Sequence, residues 1–160
     1  MKQVIYFVAR ILHVVTYPLT GLILHNSNRV RVSVLCDGQI LLQKGLLGKQ
    51  RWSLPGGGVE NHETPEDAAV RELIEETGLM VTSKELDYIG ERKLPLSRRW
   101  PKYNIKFYTV SIPKIVQPHI SRPYEVIAAE WFDVLNLPQQ LGESAQVGID
   151  LMKKNRPLKS

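Results

Sequence analysis

Three adjacent glycines, Gly56 to Gly58, lie a few residues before the segment with the strongest helix start and stop signals in this chain. Adjacent glycines allow backbone conformations and close approaches that other residues adopt only at an energetic cost. Thr64 is a favourable N-cap, Pro65 suits the first helical position, and Gly78 is placed to end the helix. The sequence therefore predicts a tight loop that leads into a well-bounded helix.

Three glutamates share one narrow face of that helix. At about 100° per residue, Glu75 lies about 60° to one side of Glu72 and Glu76 about 40° to the other. Like charges at this spacing destabilise a helix unless their repulsion is offset. Divalent cations such as Mg²⁺ and Mn²⁺ offset it, because they take oxygen ligands and bridge to substrate phosphates. The alternative is a solvated acidic face balanced by surface lysines.

Strand-like segments surround the helix. The Asp37-Gly38 pair is a strong hairpin signal between two strand-like segments. Residues 143–155 are predicted to form a final helix, and residues 135–140 a short helical turn. We therefore expect an α+β fold, an α/β/α sandwich in which helices flank a mixed β-sheet. The expected strands cover residues 29–35, 39–44, 87–94, 105–112 and 126–134, and the helix face expected to pack on the sheet consists of Val70, Leu73, Ile74 and Thr77.

Composition narrows the functional class. The chain has 160 residues, of which 43% are apolar and 23% charged, as in one ordinary globular domain. Cys36 is the only cysteine, which excludes an intramolecular disulfide and a thiolate-rich metal site. This usage suits a reducing cytoplasm. The net charge is +5 without a dense basic stripe, so nucleic-acid binding is not expected.

Residues 1–25 are expected to form an amphipathic helical segment, separate from a domain over residues 26–160. A charge, a histidine and Pro18 interrupt its apolar run, which argues against a transmembrane helix or a signal peptide. Apolar side chains gather on one side of a helix that is predicted to end near Pro18. This face suits packing on the domain, a homodimer contact, or peripheral contact with a membrane surface through residues 1–20.

One motif joins the glycines to the glutamate helix. It has the pattern G-x5-E-x7-R-E-L-x-E-E-x-G-L, with nine fixed positions over 23 residues. This pattern resembles the Nudix box, the signature of Nudix hydrolases, and the resemblance extends over residues 30–141. The nine positions are Gly57, Glu63, Arg71, Glu72, Leu73, Glu75, Glu76, Gly78 and Leu79.

The resemblance implies a division of roles among these residues. The metal ligands would be Glu72, Glu75 and Glu76, with the Gly56 carbonyl as a further ligand. Arg71 would brace the carboxylates through charge-assisted hydrogen bonds. The metal would be Mg²⁺, with Mn²⁺ as a substitute, and a metal-activated water would attack a phosphorus of a diphosphate.

Other residues would support the site. Glu63 is expected to orient the loop and the helix. Gly57 and Gly78 are expected to have structural roles. Family members also tend to recruit an acid from outside the box. Glu125 is favoured over Glu130 here, because Glu130 falls within a predicted strand. The proton of the attacking water would pass to Glu75, Glu76 or Glu125.

The substrate implied by the resemblance is a nucleoside diphosphate linked to a group X. Pro95 lies near the position downstream of the box where ADP-ribose-cleaving members of the family carry a proline, so the resemblance slightly favours ADP-ribose or a nucleotide sugar, while a (d)NTP stays open. The alternative function is a non-catalytic nucleotide-binding, RNA-binding or membrane-associated module of the same fold. The candidate substrate-binding residues, several of them in a basic loop with aromatic faces, are Arg51, Arg92, Arg98, Arg99, Trp100 and Tyr103.

If the N-terminal segment contacts membranes, deletion of residues 1–20 should remove liposome binding and leave hydrolysis little changed. The reason is that the apolar face and the basic side chains of this segment would supply the membrane affinity. Co-sedimentation with anionic vesicles measures the first quantity and a substrate assay the second. Unchanged sedimentation of the truncated protein would contradict the prediction.

Overall fold

The computed structural model describes residues 28–46, 50–95, 102–121 and 125–155. Three predicted features fall outside these residues: the segment 1–25, the residues Arg98 and Arg99, and Trp100. The described part contains six strands and two α-helices, with a short 3₁₀ helix at Ser83–Glu85 that the sequence did not predict. The strands are β1 Asn28–Cys36, β2 Gln39–Gly45, β3 Trp52–Ser53, β4 Asp87–Pro95, β5 Lys102–Ser111 and β6 Val126–Asp133; the helices are α1 Pro65–Thr77 and α2 Glu143–Asn155.

The strands form one mixed sheet. Its order is β3-β2-β1-β5-β4, and β6 pairs with the other edge of β2. Strands β1 and β5 run parallel, whereas the remaining pairs are antiparallel. The predicted hairpin joins β1 to β2, with positive φ angles at Asp37 (45°) and Gly38 (74°), as a type I′ turn requires.

A helix covers each face of the sheet, which confirms the predicted sandwich of a mixed sheet and flanking helices. Neighbouring strand residues point to opposite faces, so Leu41 packs on the α1 side while Ile40 and Leu42 pack on the α2 side. In strand β5, Tyr108 likewise packs on the α1 side and Phe107 on the α2 side. Cys36 is buried.

Strands β1 and β2 contact each other only near their hairpin, at Leu35–Ile40 and Cys36–Gln39. Beyond that point β3 pairs with the end of β2, and residues 55–59 run alongside β1 instead. The backbone amides of Val30 and Val32 donate to Gly57 and Pro55 (both 3.0 Å). The glycine-rich loop therefore fills the opening between two diverging strands.

Helix α1 begins and ends at the predicted residues. The Thr64 hydroxyl accepts a hydrogen bond from the Asp67 amide (3.1 Å), and Gly78 adopts a left-handed conformation with φ of 71°. The Gly78 amide donates to the Ile74 carbonyl (3.0 Å) and completes the C-cap.

The predicted packing face of α1 is confirmed at Leu73 and Thr77 but is wrong at Ile74, and Val70 is only partly buried. The buried residues are Ala68, Ala69, Glu72, Leu73, Glu76 and Thr77, whereas Ile74 is 41% exposed. The buried arc is therefore centred between Leu73 and the glutamates. The glutamates face inward because the glycine loop supplies a polar surface that an apolar-face argument does not anticipate.

The helical turn predicted over residues 135–140 is also wrong. This segment follows β6 as a non-helical turn, in which the Leu135 amide donates to the Asp133 carboxylate (2.7 Å) and the Asn136 amide to the Asp133 carbonyl (3.0 Å). Asp133 competes for these amides as short polar side chains do at turns. Among the described residues, no helix is long and apolar enough to cross a membrane.

Replacement of Gly78 by Ala should lower the free energy of unfolding by more than replacement of Gly38 by Ala. Both glycines have positive φ, which costs an L-residue about 1–2 kcal/mol. A Cβ at Gly78 would also lie 3.1 Å from the His119 Cβ, whereas a Cβ at Gly38 would meet nothing within 4 Å. Urea unfolding of the two variants measures the difference, and equal losses would contradict the proposed His119 contact.

Candidate active site

A cleft of about 450 Å³ opens where β1 and β2 diverge. The carboxylates of α1 form one wall, the glycine loop another, and side chains of β1 and β2 the rest. The start of β6 closes the cleft at its rim, where the Leu46 amide donates to the Glu125 carbonyl (2.8 Å). Its charged lining residues are Arg29, Arg31, Glu60, Arg71, Glu72, Glu76 and Glu125.

The glycine loop passes close to β1 at Gly56 and close to α1 at Gly57, whereas a Cβ at Gly58 would meet nothing within 4 Å. A Cβ at Gly56 would overlap the Val30 carbonyl, and the φ of Gly56 is 132°, which disfavours any other residue. A Cβ at Gly57 would overlap the Glu72 carboxylate. These two contacts explain why glycine is required at each position.

Arg71 connects the loop to the helix. Its Nη2 donates to the Gly58 carbonyl (2.9 Å) and to Glu63 (2.8 Å), and its Nε donates to Glu63 as well (3.1 Å). Its Nη1 donates to Glu72 (3.1 Å) and Glu75 (3.2 Å). The Glu63 hydrogen bonds raise the pKa of Arg71, so the guanidinium stays charged. One cation thus donates hydrogen bonds to three carboxylates and the loop backbone, and it forms a longer ion pair with a fourth carboxylate, Glu60 (3.9 Å).

Glu63 is fixed from two sides. It receives the two Arg71 bonds, and it accepts a further hydrogen bond from the Glu60 amide (2.6 Å). The hydrogen bonds from Arg71 hold the pKa of Glu63 below its ordinary value. Glu63 therefore positions Arg71 and the loop that precedes the helix, while remaining outside the cleft lining.

Glu76 is a buried carboxyl that faces the glycine loop. It accepts a hydrogen bond from the Gly56 amide (2.6 Å). Burial raises the pKa of Glu76 to about 7, although the Gly56 amide and the charge of Arg31 act in the opposite direction. Burial also raises the pKa of Glu72, against the nearby charge of Arg71. Both carboxylates are thus held in a cleft that disfavours their charge.

The structure separates Glu75 from the other two glutamates of the helix. Glu72 and Glu76 line the cleft, whereas Glu75 lies beside it on the outer side of α1, where Arg71 contacts it. Beyond the box, Glu125 lines the cleft. Glu130 is exposed on β6 and is not among the described residues that line the cleft.

The predicted substrate-binding residues are dispersed. Arg51 is exposed just before β3, and Arg92 is exposed on β4, where it donates to the Glu91 carbonyl (2.7 Å). Tyr103 lies on β5 with its ring 5.6 Å from the Arg29 guanidinium. Tyr103 thereby contacts a residue that lines the cleft.

Sequence reasoning assigned no site role to Arg29 and Arg31 of β1 or to Gln43 of β2, all three of which line the cleft. The alternation of basic and apolar residues in β1 was a usable signal, because it places both arginines on one side of the strand. The position of Gln43 depends on how far β2 diverges from β1, which the pattern does not encode.

The donor set of the cleft fits a hard divalent cation. Glu72 and Glu76 are oxygen donors that repel one another and are disfavoured by burial, and a bound cation would relieve both effects. The Gly56 carbonyl accepts a hydrogen bond from Arg31 and retains a second lone pair. Within the described residues no three acidic, histidine or cysteine side chains form a complete site, so water or phosphate oxygens would complete the coordination.

Comparison with known proteins identifies the family. The NUDIX domain model matches residues 27–151. This chain belongs to the Nudix family. The match includes both walls of the cleft and all six strands, which agrees with the resemblance of the box. The residues that the Nudix box fixes are also the residues that form the loop-to-helix contact.

Curated relatives share part of their length with this Nudix chain. An RNA pyrophosphohydrolase of Cellvibrio japonicus is 34% identical over 88 residues, which are 55% of this chain and 42% of that protein. An RNA pyrophosphohydrolase of Marinomonas is 33% identical over 106 residues, which are 66% and 51% of the two chains. This chain thus spans about half the length of the curated relatives it matches.

Solved structures show the same fold. A MutT NUDIX hydrolase from Burkholderia pseudomallei aligns with a TM-score of 0.70 and 24% identity, over 78% of this chain and 96% of that one. A bifunctional NMN adenylyltransferase/ADP ribose pyrophosphatase from Francisella tularensis, complexed with AMP and Mn ion, aligns with a TM-score of 0.70 and 22% identity. That alignment covers 92% of this chain and 48% of the bifunctional protein.

In metal-free buffer, Glu76→Gln should stabilise the protein at pH 8 and lose that advantage by pH 5. The folded-state pKa of about 7 lies above the ordinary value of 4.5, so the folded protein favours protonated Glu76. Wild-type stability therefore falls as the pH rises from 4.5 through 7, by about 2–3 kcal/mol. Chemical unfolding with a chelator present, at several pH values, measures the effect.

The control is Glu130→Gln, which removes an exposed carboxylate of β6. The groups that face Glu76 are Glu72, Arg31, Gln43 and the Gly56 amide, and all of them stay in place in both variants. Parallel stability curves for wild type and Glu76→Gln from pH 5 to pH 8 would refute a buried, charge-disfavoured Glu76.

Proposed function

We propose that this protein hydrolyses a diphosphate linkage in a nucleoside diphosphate linked to a group X, with Mg²⁺ as cofactor and Mn²⁺ as a substitute. The observation that carries the proposal is the buried pair Glu72 and Glu76, set against a glycine loop at the floor of an open cleft. A retired site would have little reason to retain two buried carboxylates, because their burial costs stability without a cation.

The names of similar proteins support this chemistry. The curated relatives are RNA pyrophosphohydrolases, and one solved structure of the same fold is an ADP ribose pyrophosphatase complexed with AMP and Mn ion. Each acts, by its name, on a pyrophosphate linkage. They differ in the group X. They therefore support cleavage of a diphosphate linkage, and they give less support to any particular X. ADP-ribose, a nucleotide sugar and a (d)NTP are the candidates for this chain.

The residues of the cleft have distinct tasks in such a reaction. When bound by Glu72 and Glu76, Mg²⁺ would neutralise phosphate charge and lower the pKa of an attacking water. Arg71 holds the Glu72 carboxylate in position, and the Gly56 amide holds Glu76. Glu125 at the rim is our candidate for the group that accepts the proton of the water. Glu75 contributes through its contact with Arg71.

A screen of nucleotide substrates with Mg²⁺ tests the proposal directly. The panel contains ADP-ribose, nucleotide sugars, (d)NTPs, NADH, diadenosine polyphosphates and RNA with a 5′-triphosphate, with products identified by mass spectrometry. Wild type should cleave at least one compound, and Glu76→Gln should reduce the rate by roughly 10²–10⁴-fold. Chelation should remove the activity. Binding of a compound without cleavage would instead support the non-catalytic nucleotide-binding or RNA-binding alternative.

The pair Glu125→Gln and Glu130→Gln locates the acid outside the box. Both changes remove one exposed carboxylate from the same stretch of chain, and only Glu125 lines the cleft. We expect kcat to fall at least about 10-fold in Glu125→Gln, with a changed pH profile, and to stay near wild type in Glu130→Gln. The reverse order would assign the role to Glu130.

A further inference from the structure

Two arginines of β1 face the acidic wall of the cleft. Arg29 and Arg31 are separated by one residue, so both side chains leave the same side of the strand. They line the cleft together with Glu72 and Glu76. With Arg71, Glu60 and Glu125, which also line it, the cleft combines three guanidinium groups with four carboxylates.

Neither guanidinium is fully paired. Arg31 donates from Nη1 to the Val30 carbonyl (3.1 Å) and to the Gly56 carbonyl, while its Nε is buried without a hydrogen-bond partner in the described part of the chain. The Nε of Arg29 is likewise buried with no partner among the described residues. A buried donor without an acceptor is destabilising, so an acceptor from outside the chain would be favourable here.

The electrostatics of the pair favour an anion. Burial lowers the pKa of Arg29, the charge of Arg31 lowers it further, and Tyr103, Glu72 and Glu76 act in the opposite direction. If a divalent cation binds Glu72 and Glu76, the two carboxylates no longer offset the two guanidinium charges. Counted over the three arginines and four glutamates of the lining, one divalent cation changes the formal charge of the cleft from −1 to +1, and an anionic group of the substrate would balance it.

We propose that Arg29 and Arg31 bind a terminal phosphate attached to the scissile diphosphate, so that the cleft prefers a triphosphate end over a diphosphate linked to a neutral sugar. This inference rests on the proposed hydrolysis of a diphosphate linkage. The guanidinium fork matches phosphate oxygens in geometry and charge. A terminal phosphate carries roughly −1.5 to −2 at pH 7, whereas a neutral sugar brings no charge to the two guanidinium groups.

Tyr103 is a positioning residue in this arrangement. Its ring lies 5.6 Å from the Arg29 guanidinium, within the range of a cation–π contact. The ring fixes the direction of the guanidinium without needing to touch the substrate. The sequence predicts that Tyr103 binds substrate, and the contact assigns it an indirect role through Arg29.

The test compares the binding of two non-hydrolysable analogues in Mg²⁺ buffer by isothermal titration calorimetry. They are α,β-methylene ATP and α,β-methylene ADP-ribose, which share the nucleoside and differ in the group on the β-phosphate. Wild type should bind the ATP analogue about 10-fold or more tightly. In Arg29→Gln and in Arg31→Gln this ratio should fall to near one.

Matched variants separate charge, geometry and folding. Lys84→Gln removes an exposed cation distant from the cleft lining and should keep the wild-type ratio. Arg31→Lys keeps the charge without the planar fork and should lose most of the preference. Arg29→Gln provides a readout if loss of the Gly56 contact unfolds the Arg31 variants. Tyr103→Leu should lower the ratio more than Tyr103→Phe, which retains the ring.

A wild type that prefers the ADP-ribose analogue, or that binds neither analogue, would overturn the inference. So would an unchanged ratio in Arg29→Gln. These outcomes are distinct from failure of the proposed function, because binding is measured without turnover. Loss of the preference in the arginine variants of a protein that cleaves nothing would support phosphate recognition and reject hydrolysis.

Discussion

The close contact between the glycine loop and helix α1 is the constraint on which the rest of the site depends. The loop lies against β1 on one side and against Glu72 on the other, and Cβ atoms at Gly56 and Gly57 would overlap these neighbours. Because the loop comes so near, its amide at Gly56 can reach Glu76 (2.6 Å). A wider loop would leave the buried carboxylate without that hydrogen bond and would expose the cleft floor to water.

The balance of charges in the site also depends on the contact between the loop and the helix. Three glutamates on one helix would repel each other, and Arg71 offsets part of the repulsion while tying the helix to the Gly58 carbonyl and to Glu63. Arg71 lines the cleft beside Glu72, so part of this charge balance lies within the cleft. The β1 arginines then face the carboxylates across the cleft. The carboxylates of α1 thus lie between Arg71 on one side and the two β1 arginines on the other.

The sequence predicted the local elements with small errors. The cap at Thr64, the end at Gly78, the hairpin at Asp37 and the bounds of the last helix follow from residues that act on their immediate neighbours. Prediction failed once because a neighbouring side chain competed for backbone amides and once because a segment remote in the chain set the packing of a helix. Asp133 captures the amides that a helical turn over residues 135–140 would have used, and the glycine loop turns the buried arc of α1 toward its glutamates.

The sequence by itself determined the fold class, the loop-to-helix motif and the glutamates, because each depends on residue type and on spacing along one segment. Only the tertiary structure decided which glutamates share the cleft, that Glu125 rather than Glu130 lies at its rim, and that Arg29 and Arg31 face Glu72. These relations depend on how far β1 and β2 diverge and on which segment fills the opening. Such distances between segments remote in the chain are set by packing, which short-range patterns do not record.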